Sequence, residues 1–337
     1  MIDAELLPAL RTGKNLLAFS AGVDSTALFF LLLEHDIPFD VALVNYQTRP
    51  ESAQEAAHAA KLCDRYGKHF FLKTATIEGG NFEAKARTLR YDFFKTIIQE
   101  RHYTQLLTAH QLDDWLEWFL MQLSKGAGFF ELAGMRPVEE RDGYRLLRPL
   151  LAAPKQSLLA WLKARDIEFF EDASNQDTAF LRNRFRQNYA KTLMADFAPG
   201  IARSFAALQA DRLSFETPEA AWQRAELTLI DKDAPDAAHQ VDLAIKRLGH
   251  LPTHSERLAI AQKKSGVYGQ KAAVAWGKAA VFVAPYKKAD RPLPKAYKEQ
   301  CRLRGIPPLV RGYLFRAGLD PAECIFPVGK DHLVVSA

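Results

Sequence analysis

The segment Ser20-Ala21-Gly22-Val23-Asp24-Ser25 constrains the fold of this chain more than any other stretch of it. It follows the apolar run 16–19 and precedes a second apolar run over 26–33. This order predicts a strand, a tight turn of small residues and then a helix. Such a turn leaves backbone N–H groups at a helix N-terminus, where the partial positive charge favours phosphate. We expect a phosphate-binding loop, although small residues followed by Asp-Ser can also simply cap a helix.

The segment lacks the Lys-Ser/Thr pair that ends the P-loop of kinases and GTPases. It resembles instead the pyrophosphate-binding loop, Ser-Gly-Gly-x-Asp-Ser, of the ATP pyrophosphatases, which cleave ATP between its α and β phosphates. Ala21 stands where that pattern has its first glycine. An alanine is acceptable there only if its φ is negative.

Composition and cysteine usage indicate an ordinary soluble protein. The chain has 337 residues, of which 48% are apolar and 25% are charged. Cys63, Cys301 and Cys324 are widely spaced, which argues against a disulfide framework or a Cys-based metal site and for a reducing compartment. We find no basic-then-apolar leader and no apolar run approaching the ~20 residues that span a bilayer. We therefore expect a cytoplasmic protein without a membrane partner.

Strand-like and helical patterns alternate through the first half of the chain. The predicted strands cover 15–19, 41–45, 70–73 and 105–108, and the predicted helices cover 24–35, 52–66, 82–101 and 112–124. This alternation predicts an α/β fold, a Rossmann-like parallel sheet with helices on both faces. Ligands of such sheets bind beyond the carboxyl ends of the strands. The loop at 20–25, the segment after Asn45 and the segment at His110 should therefore converge on one crevice.

The second half is predicted to be mostly helical, with helices over 155–165, 180–194, 200–225 and 254–264 and a hairpin over 271–285. The polar segment 231–236 is interpreted as a linker at a domain boundary. We expect an α/β domain over 1–195, a helical domain over 196–285 and a small basic α+β module over 286–337. That last segment has ten Lys or Arg against five Asp or Glu, a surplus equal to the whole chain's net charge of +5. A polyanionic partner or a solubilising surface would explain it.

Four polar residues open the helix after the fourth predicted strand. Spacings of three, four and seven place His110, Asp113, Asp114 and Glu117 on roughly one helical face. Three carboxylates so close repel one another unless a cation lies among them. Mg²⁺ or a cationic substrate would satisfy them. The alternative is a solvated helix start with an ordinary acidic bias.

Two helices carry arginines at helical spacing. Arg87 and Arg90 share a face and are suited to contact with phosphate or a base edge, while a surface Glu83–Arg87 pair is the alternative for Arg87. Arg182 and Arg186 lie four residues apart, where like charges destabilise a bare helix. An anion such as an RNA phosphate is the natural compensation, and a plain basic surface is the alternative.

Taken in order, these motifs resemble those of the tRNA(Ile)-lysidine synthases. The resemblance rests on the loop at 20–25, on Ala86-Arg87-x-x-Arg90-Tyr91, on His110-x-x-Asp113-Asp114-x-x-Glu117 and on Asp172-x-Ser174-Asn175 leading to Arg182-Asn183-Arg184-x-Arg186. It is strong over about 14–195 and weaker to the end, where Leu303-Arg304-Gly305-Ile306-Pro307-Pro308-x-x-Arg311 is similar to the family's C-terminal domain.

The resemblance implies a PP-loop ATPase fold and an ATP- and Mg²⁺-dependent ligase. Family members adenylate C2 of the wobble cytidine of the tRNA(Ile) with a CAU anticodon, and free L-lysine then displaces AMP, so that the tRNA reads AUA as isoleucine. It implies that the first domain is catalytic and that the second contacts tRNA. A homodimer is an assembly that the resemblance leaves open.

The resemblance also implies roles for individual residues. The implied catalytic residues are Arg90, Asp113, Asp114 and Glu117. The implied nucleotide-binding residues are Ser20, Ala21, Gly22, Val23, Asp24, Ser25, Asn45 and His110, and the implied Mg²⁺ ligands are Asp24 and Asp114. The implied tRNA-binding residues are Arg87, Arg182, Asn183, Arg184, Arg186 and Arg311.

The chain departs from the family pattern beyond Ala21. Tyr46 stands where relatives usually carry His, and Trp115 and Trp118 flank Glu117 where smaller or polar residues are common. Two alternatives stay open: another PP-loop tRNA-modifying or amide-forming synthetase, and a non-catalytic tRNA-binding relative. Sulfur transfer would require paired cysteines, which this sequence lacks near the loop motifs.

Overall fold

The computed structural model describes residues 1–48, 51–80, 82–170, 181–217, 221–278, 280–287, 292–324, 327–328 and 331–332. The chain divides into two compact units, Met1–Gln209 and Ala210–Ala337. Among the residues described, no helix is both long enough and apolar enough to cross a membrane.

The first unit is built on a six-stranded sheet of order β3-β2-β1-β4-β6-β5. Its strands are β1 (Asn15–Ala18), β2 (Phe39–Asn45), β3 (Phe70–Thr74), β4 (Gln105–Leu107), β5 (Val138–Arg141) and β6 (Tyr144–Leu147). All neighbours pair parallel except the edge strand β5, which is antiparallel to β6. The chain order reverses at β1, which lies between β2 and β4, so the crevice expected of an open parallel sheet lies at the carboxyl end of β1.

Helices connect these strands in the order of the sequence. They are α1 (Leu7–Thr12), α2 (Val23–Glu34), α3 (Glu51–Arg65), α4 (Phe82–Arg101), α5 (Leu112–Leu123), α6 (Phe129–Leu132), α7 (Lys155–Lys163), α8 (Leu181–Phe185) and α9 (Lys191–Phe215), with a π-helical turn over Arg186–Ala190. α2 buries most of its length, including Leu28 and Phe29, because it crosses the sheet beside β1 and is covered on its outer side. A second core on the other face contains Leu16, Phe94 and Leu106.

The α/β fold with a parallel sheet and helices on both faces is therefore confirmed. The four predicted strands, the three helices between them and the helix after the fourth strand begin and end within two residues of their predicted limits. The β5–β6 hairpin was not predicted, because Glu139, Glu140 and Arg141 give its edge strand no apolar alternation.

The second unit contains a five-stranded antiparallel sheet of order β7-β8-β11-β10-β9. The strands are β7 (Ala221–Arg224), β8 (Leu227–Asp231), β9 (Gly266–Tyr268), β10 (Ala272–Trp276) and β11 (Ala280–Pro285). Helices α10 (Ala237–Arg247) and α11 (His254–Ala261) pack on the face that presents Val274 and Val283. Helices α12 (Lys295–Leu303) and α13 (Pro308–Arg316) pack on the face that presents Ala275 and Phe282. A last pair, β12 (Pro327–Val328) and β13 (Asp331–His332), follows.

This arrangement differs from the predicted division at 195 and 285. Residues 292–324 do not form a module of their own, because α12 and α13 cover one face of the sheet built by 221–285. The helix predicted over 200–225 ends at Phe215 and gives way to β7, and the segment 231–236 lies inside the second unit between β8 and α10. Short strands such as β7 and β9 carry too little period-two signal to be found by pattern alone. The predicted 271–285 hairpin is confirmed as β10 and β11.

Candidate active site

The loop between β1 and α2 is held in shape by Ser25. Its hydroxyl accepts a hydrogen bond from the Ser20 backbone N–H at 3.2 Å, lies 3.1 Å from the Ser20 hydroxyl and donates to the Gly22 carbonyl at 3.2 Å. Gly22 is the N-cap of α2, and no described side chain caps this end of the helix. The first turn of α2 therefore offers its backbone donors to an anion at the carboxyl end of β1.

Ala21 has a φ of +59°, so the condition of a negative φ that was set for an alanine at this position is not met. The loop needs a left-handed residue here, which is the conformation that favours glycine and costs other residues roughly 1–2 kcal/mol. Ala21 is fully buried, and its carbonyl accepts a hydrogen bond from the Phe170 N–H at 2.9 Å. The hydrogen bonds of Ser25 and of the Phe170 N–H therefore hold the turn in this strained conformation.

A cavity of about 1410 Å³ opens over this loop at the carboxyl ends of β1 and β2. The sequence-predicted residues that line it are Ser20, Gly22, Val23, Asp24, Ser25, Asn45, Arg90, Asp113, Glu117 and Arg186. The predicted residues of the first unit that the structure describes but does not place in its lining are Ala21, Arg87, His110, Asp114, Arg182, Asn183 and Arg184. The predicted convergence on one crevice is thus observed for the loop at 20–25 and the segment at Asn45. None of residues 108–110 lines the cavity, and α5 contributes Asp113 and Glu117 in their place.

The acidic turn is organised by a capping box at the start of α5. The Gln111 side chain accepts from the Asp113 N–H at 2.6 Å, and the Asp114 carboxylate accepts from the Gln111 N–H at 3.2 Å. Asp113 in turn accepts from the backbone N–H of Lys155 at 2.9 Å, the first residue of α7. Two helix N-termini therefore meet at Asp113, where their partial positive charges favour a carboxylate.

The cations predicted to lie among the carboxylates are supplied by the chain itself. Arg182 donates to Glu117 at 2.9 Å and to Asp114 at 2.5 Å. Arg186 binds both oxygens of Glu117, at 2.5 and 3.1 Å. The anions that compensate the two arginines in this structure are therefore carboxylates of α5, where RNA phosphates were expected.

Electrostatics separates the carboxylates into two kinds. Burial acts to raise the pKa of Asp114, but the charges of Arg182 and other cationic neighbours outweigh it, so that the pKa lies below its ordinary value. Burial raises the pKa of Asp113, opposed by the hydrogen bond from Lys155. Burial also raises the pKa of Asp24 to about 7. Asp114 is thus held ionised, whereas Asp24 is poised to exchange a proton near neutral pH, and the protonated form of Asp113 is favoured more than usual.

Asp24 is also the residue best suited to hold a metal ion. Its Oδ1 is buried without a hydrogen-bond partner in the described part of the chain, and its Oδ2 lies 3.8 Å from the Lys155 ammonium. An unsatisfied carboxylate oxygen in a phosphate-binding cavity fits Mg²⁺. Within the described ranges, no group of three or more His, Cys, Asp or Glu is arranged as a metal site. Phosphate and water oxygens would have to complete the coordination, and Asp114 is already engaged by arginine.

His110 lies beside the cavity as a neutral imidazole. Burial lowers its pKa to about 4, and its Nδ1 lies 2.9 Å from the Thr108 hydroxyl. Because it does not line the cavity, its predicted contact with nucleotide is not reproduced by this geometry.

The predicted RNA-contacting residues fall in different surroundings. Arg87 is exposed and lies over the Tyr91 ring at 4.9 Å, and Arg184 is exposed. Arg311 belongs to the second unit, where its Nε donates to the Ile306 carbonyl at 2.8 Å. The motif residues Asp172, Ser174 and Asn175 lie outside the residues that the structure describes.

Lys155 is a lining residue that sequence analysis missed. It opens α7 directly after Pro154, and its side chain is 41% exposed. A lysine in the first turn opposes the helix dipole, which favours anions there. A positive side chain at a helix N-terminus is therefore the sequence signal that could have indicated Lys155, since a bound phosphate would offset the unfavourable charge.

Comparisons with known proteins agree with this site. The family model of the PP-loop domain matches residues 4–193. The tRNA(Ile)-lysidine synthase of Campylobacter jejuni strain RM1221 is 40% identical over 96% of this chain and 99% of its own length. The tRNA(Ile)-lysidine synthase of Wolinella succinogenes is 42% identical over 92% of this chain and 95% of its own length.

Among solved structures, the U34-tRNA thiolase NcsA from Methanococcus maripaludis with its [4Fe-4S] cluster is similar, with a TM-score of 0.53. It covers 64% of this chain and 76% of its own at 16% identity, a likeness that concerns the fold alone. Full-length identity near 40% to its curated relatives, together with the PP-loop domain, shows that this chain belongs to the tRNA(Ile)-lysidine synthase family.

Proposed function

We propose that this protein ligates free L-lysine to C2 of the wobble cytidine in the tRNA(Ile) with a CAU anticodon. The reaction consumes ATP, passes through an adenylated tRNA and releases AMP and pyrophosphate, so that the tRNA reads AUA as isoleucine. The cytoplasm is the proposed compartment.

One observation carries the proposal. The open N-terminus of α2 and three members of the acid–arginine cluster, Asp113, Glu117 and Arg186, line a single cavity at the carboxyl end of β1. A ligase that first activates an RNA base and then attacks it with an amine needs phosphate donors and proton-accepting groups within reach of one another.

The loop at 20–25 suits the first step. When the cytosine oxygen attacks the α phosphorus of ATP, charge builds on the departing pyrophosphate. The backbone N–H groups around Gly22 are already oriented by the Ser25 hydrogen bonds, so they stabilise that charge without rearrangement. The Lys155 ammonium adds a positive charge to the same wall. A Mg²⁺ ion bound at Asp24 would neutralise phosphate charge.

The second step needs a base for the incoming lysine. Asp114 and Glu117 were the expected candidates, but both carboxylates are held by Arg182 or Arg186. Asp113 lines the cavity and burial raises its pKa, so it is better suited to accept a proton from the ε-ammonium, while Asp24 is left to hold Mg²⁺. We assign Asp114 and Glu117 the positioning of the arginines. Arg90, which lines the cavity, is assigned contact with the cytidine or its phosphate.

The proposed tRNA contacts begin at the exposed arginines. Arg87 and Arg184 are exposed and form no ion pair with a carboxylate among the residues that the structure describes, so both can meet phosphate. We extend the assignment to Arg182, Asn183, Arg186 and Arg311 as residues of the same motifs. The surplus of positive charge over 286–337 supports an RNA partner.

Sulfur transfer is disfavoured by the cysteines. Cys63, Cys301 and Cys324 are all buried and free of disulfides. Burial raises the pKa of the Cys63 thiol to about 12 and that of Cys324 to about 11. A thiol in that state is a poor nucleophile at neutral pH.

The test uses purified protein, ATP, MgCl₂, radiolabelled L-lysine and a transcript of the tRNA(Ile) with a CAU anticodon. We expect label in the tRNA together with AMP and pyrophosphate. A transcript with uridine at the wobble position and a reaction without ATP are the controls. No label with the correct transcript, or ADP as the product, would reject the proposal. Light scattering of the same preparation tests the homodimer that the resemblance made an option.

A further inference from the structure

Two aromatic rings line the cavity at the end of β2, apart from the phosphate loop and the acidic turn. Tyr46 follows the last residue of β2, and Phe82 is the first residue of α4. Their ring centroids lie 5.9 Å apart with an interplanar angle of 73°, an edge-to-face contact. Phe82 is 39% exposed, so much of its ring remains accessible.

The pair is held in place by a hydrogen bond. The Tyr46 hydroxyl donates to the carbonyl of Ala86 at 2.9 Å, which ties the ring to the first turns of α4. Ala86 itself is buried at 7% exposure. The tyrosine therefore supports Phe82 from a fixed position, and the accessible ring does not have to be ordered when a ligand arrives.

The surroundings indicate what kind of ligand fits. Arg90 lies two turns further along α4 and lines the same cavity, so a guanidinium and an exposed aromatic ring occur together. This combination suits a planar base attached to a phosphate. The cavity volume of about 1410 Å³ also exceeds the roughly 300–1,000 Å³ of ordinary small-molecule sites. One nucleotide over the loop at 20–25 would leave room for a second base.

We propose that Tyr46 and Phe82 form an aromatic platform on which a nucleobase stacks, with Phe82 as the contacting ring. The inference rests on the proposed function, in which both ATP and the tRNA carry a base. The base comes either from ATP or from the tRNA, and the experiment separates these sources.

The test measures two affinities of Phe82→Ala without turnover. One arm titrates a non-hydrolysable ATP analogue by calorimetry, and the other measures filter binding of the tRNA(Ile) transcript. Base–aromatic stacking predicts a roughly 5- to 150-fold loss of affinity for the ligand whose base stacks on Phe82. Leu72→Ala, which removes an exposed apolar side chain of β3 outside the cavity lining, is the control and should leave both affinities unchanged. If Phe82→Ala also leaves both affinities within twofold of wild type, the platform does not exist.

A second variant gives a spectroscopic readout. Phe82→Trp keeps a stacking ring and should restore the lost affinity, and its emission, taken as the difference from wild type, should be quenched by the same ligand. Affinity that stays as low as in Phe82→Ala, with no quenching, would contradict the proposal. Because no arm requires lysidine formation, an inactive protein that still shows these changes would reject the proposed reaction and keep the platform.

Discussion

Arg186 binds Glu117 through both arms of its guanidinium, with Nε 2.5 Å from Oε1 and Nη2 3.1 Å from Oε2. Glu117 is 1% exposed, and its Oε2 also accepts from Arg182 at 2.9 Å. The contact joins α5 to the π-helical turn that begins at Arg186. The Glu117 carboxylate therefore binds both guanidiniums, and Asp114 shares Arg182 with it.

Glu117→Ala is expected to destabilise the protein strongly, because it leaves two partly buried arginines without their shared acceptor. Breaking a buried pair in this way costs about 3–5 kcal/mol. Urea unfolding measures the effect, and Glu140→Ala, at an exposed position of β5, should stay within about 0.5 kcal/mol of wild type. A loss below about 1 kcal/mol for Glu117→Ala would mean that the arginines find other partners.

The positive φ of Ala21 predicts a different response to two substitutions. Ala21→Gly relieves about 1–2 kcal/mol of left-handed strain but loses a buried methyl group and loosens the unfolded chain, each worth up to about 1 kcal/mol. These effects nearly cancel, and the thermal midpoint should hardly move. Ala21→Val adds a β-branch where φ is positive and should lower stability by at least about 2 kcal/mol. A valine variant as stable as wild type would contradict the left-handed turn.

Sequence analysis predicted the features of the site that depend on residues close together in the chain. Strand and helix periodicity is local, so β1, α2, β4 and α5 were located correctly, and the order of the strands brought their loops to one crevice. Local spacing also showed that Asp114 and Glu117 share a helical face.

The partners of those acids could not be derived in the same way. Arg182 lies 68 residues from Asp114, and Arg186 lies 69 residues from Glu117. The acidic residues of α5 and the arginines at 182 and 186 each form a cluster of like charge. The sequence pattern does not indicate that the two clusters pair with each other. The sign of φ at Ala21 was also out of reach, since it is set by the hydrogen bonds of Ser25 and by the packing of Phe170.

Lys155→Met should weaken ATP binding while leaving the fold intact. Its ammonium is partly exposed and lies 3.8 Å from Asp24, so the loss of the ion pair should change stability by less than about 1 kcal/mol. Loss of a charged hydrogen bond to phosphate costs roughly 1.5–3 kcal/mol, which is about a 10- to 150-fold rise in the Kd for an ATP analogue. Lys163→Met, at the exposed end of the same helix, is the matched control for calorimetry. An unchanged Kd would remove Lys155 from the nucleotide site.

His110 predicts a pH dependence of stability whose sign follows from its lowered pKa. The folded protein holds the ring neutral down to pH about 4, whereas an unfolded chain protonates it near 6.5. The stabilisation from this residue is therefore complete above pH 6.5 and is lost as the pH falls towards 4. The full loss is at most about 3 kcal/mol, because the ring keeps some exposure.

Asp24, whose pKa is raised to about 7, acts in the opposite direction over the same range, and the raised pKa of Asp113 acts with the same sign as that of Asp24, so wild type alone does not reveal the histidine. The measurement is the difference in unfolding free energy between wild type and His110→Asn, taken by urea titration at half-unit steps from pH 7.5 to 4.5. The stability of wild type relative to His110→Asn should decrease as the pH falls below 6.5. The comparison with His110→Gln should give the same pH dependence. A difference that stays constant across the range would mean that the imidazole is protonated in the folded protein as readily as in the unfolded chain.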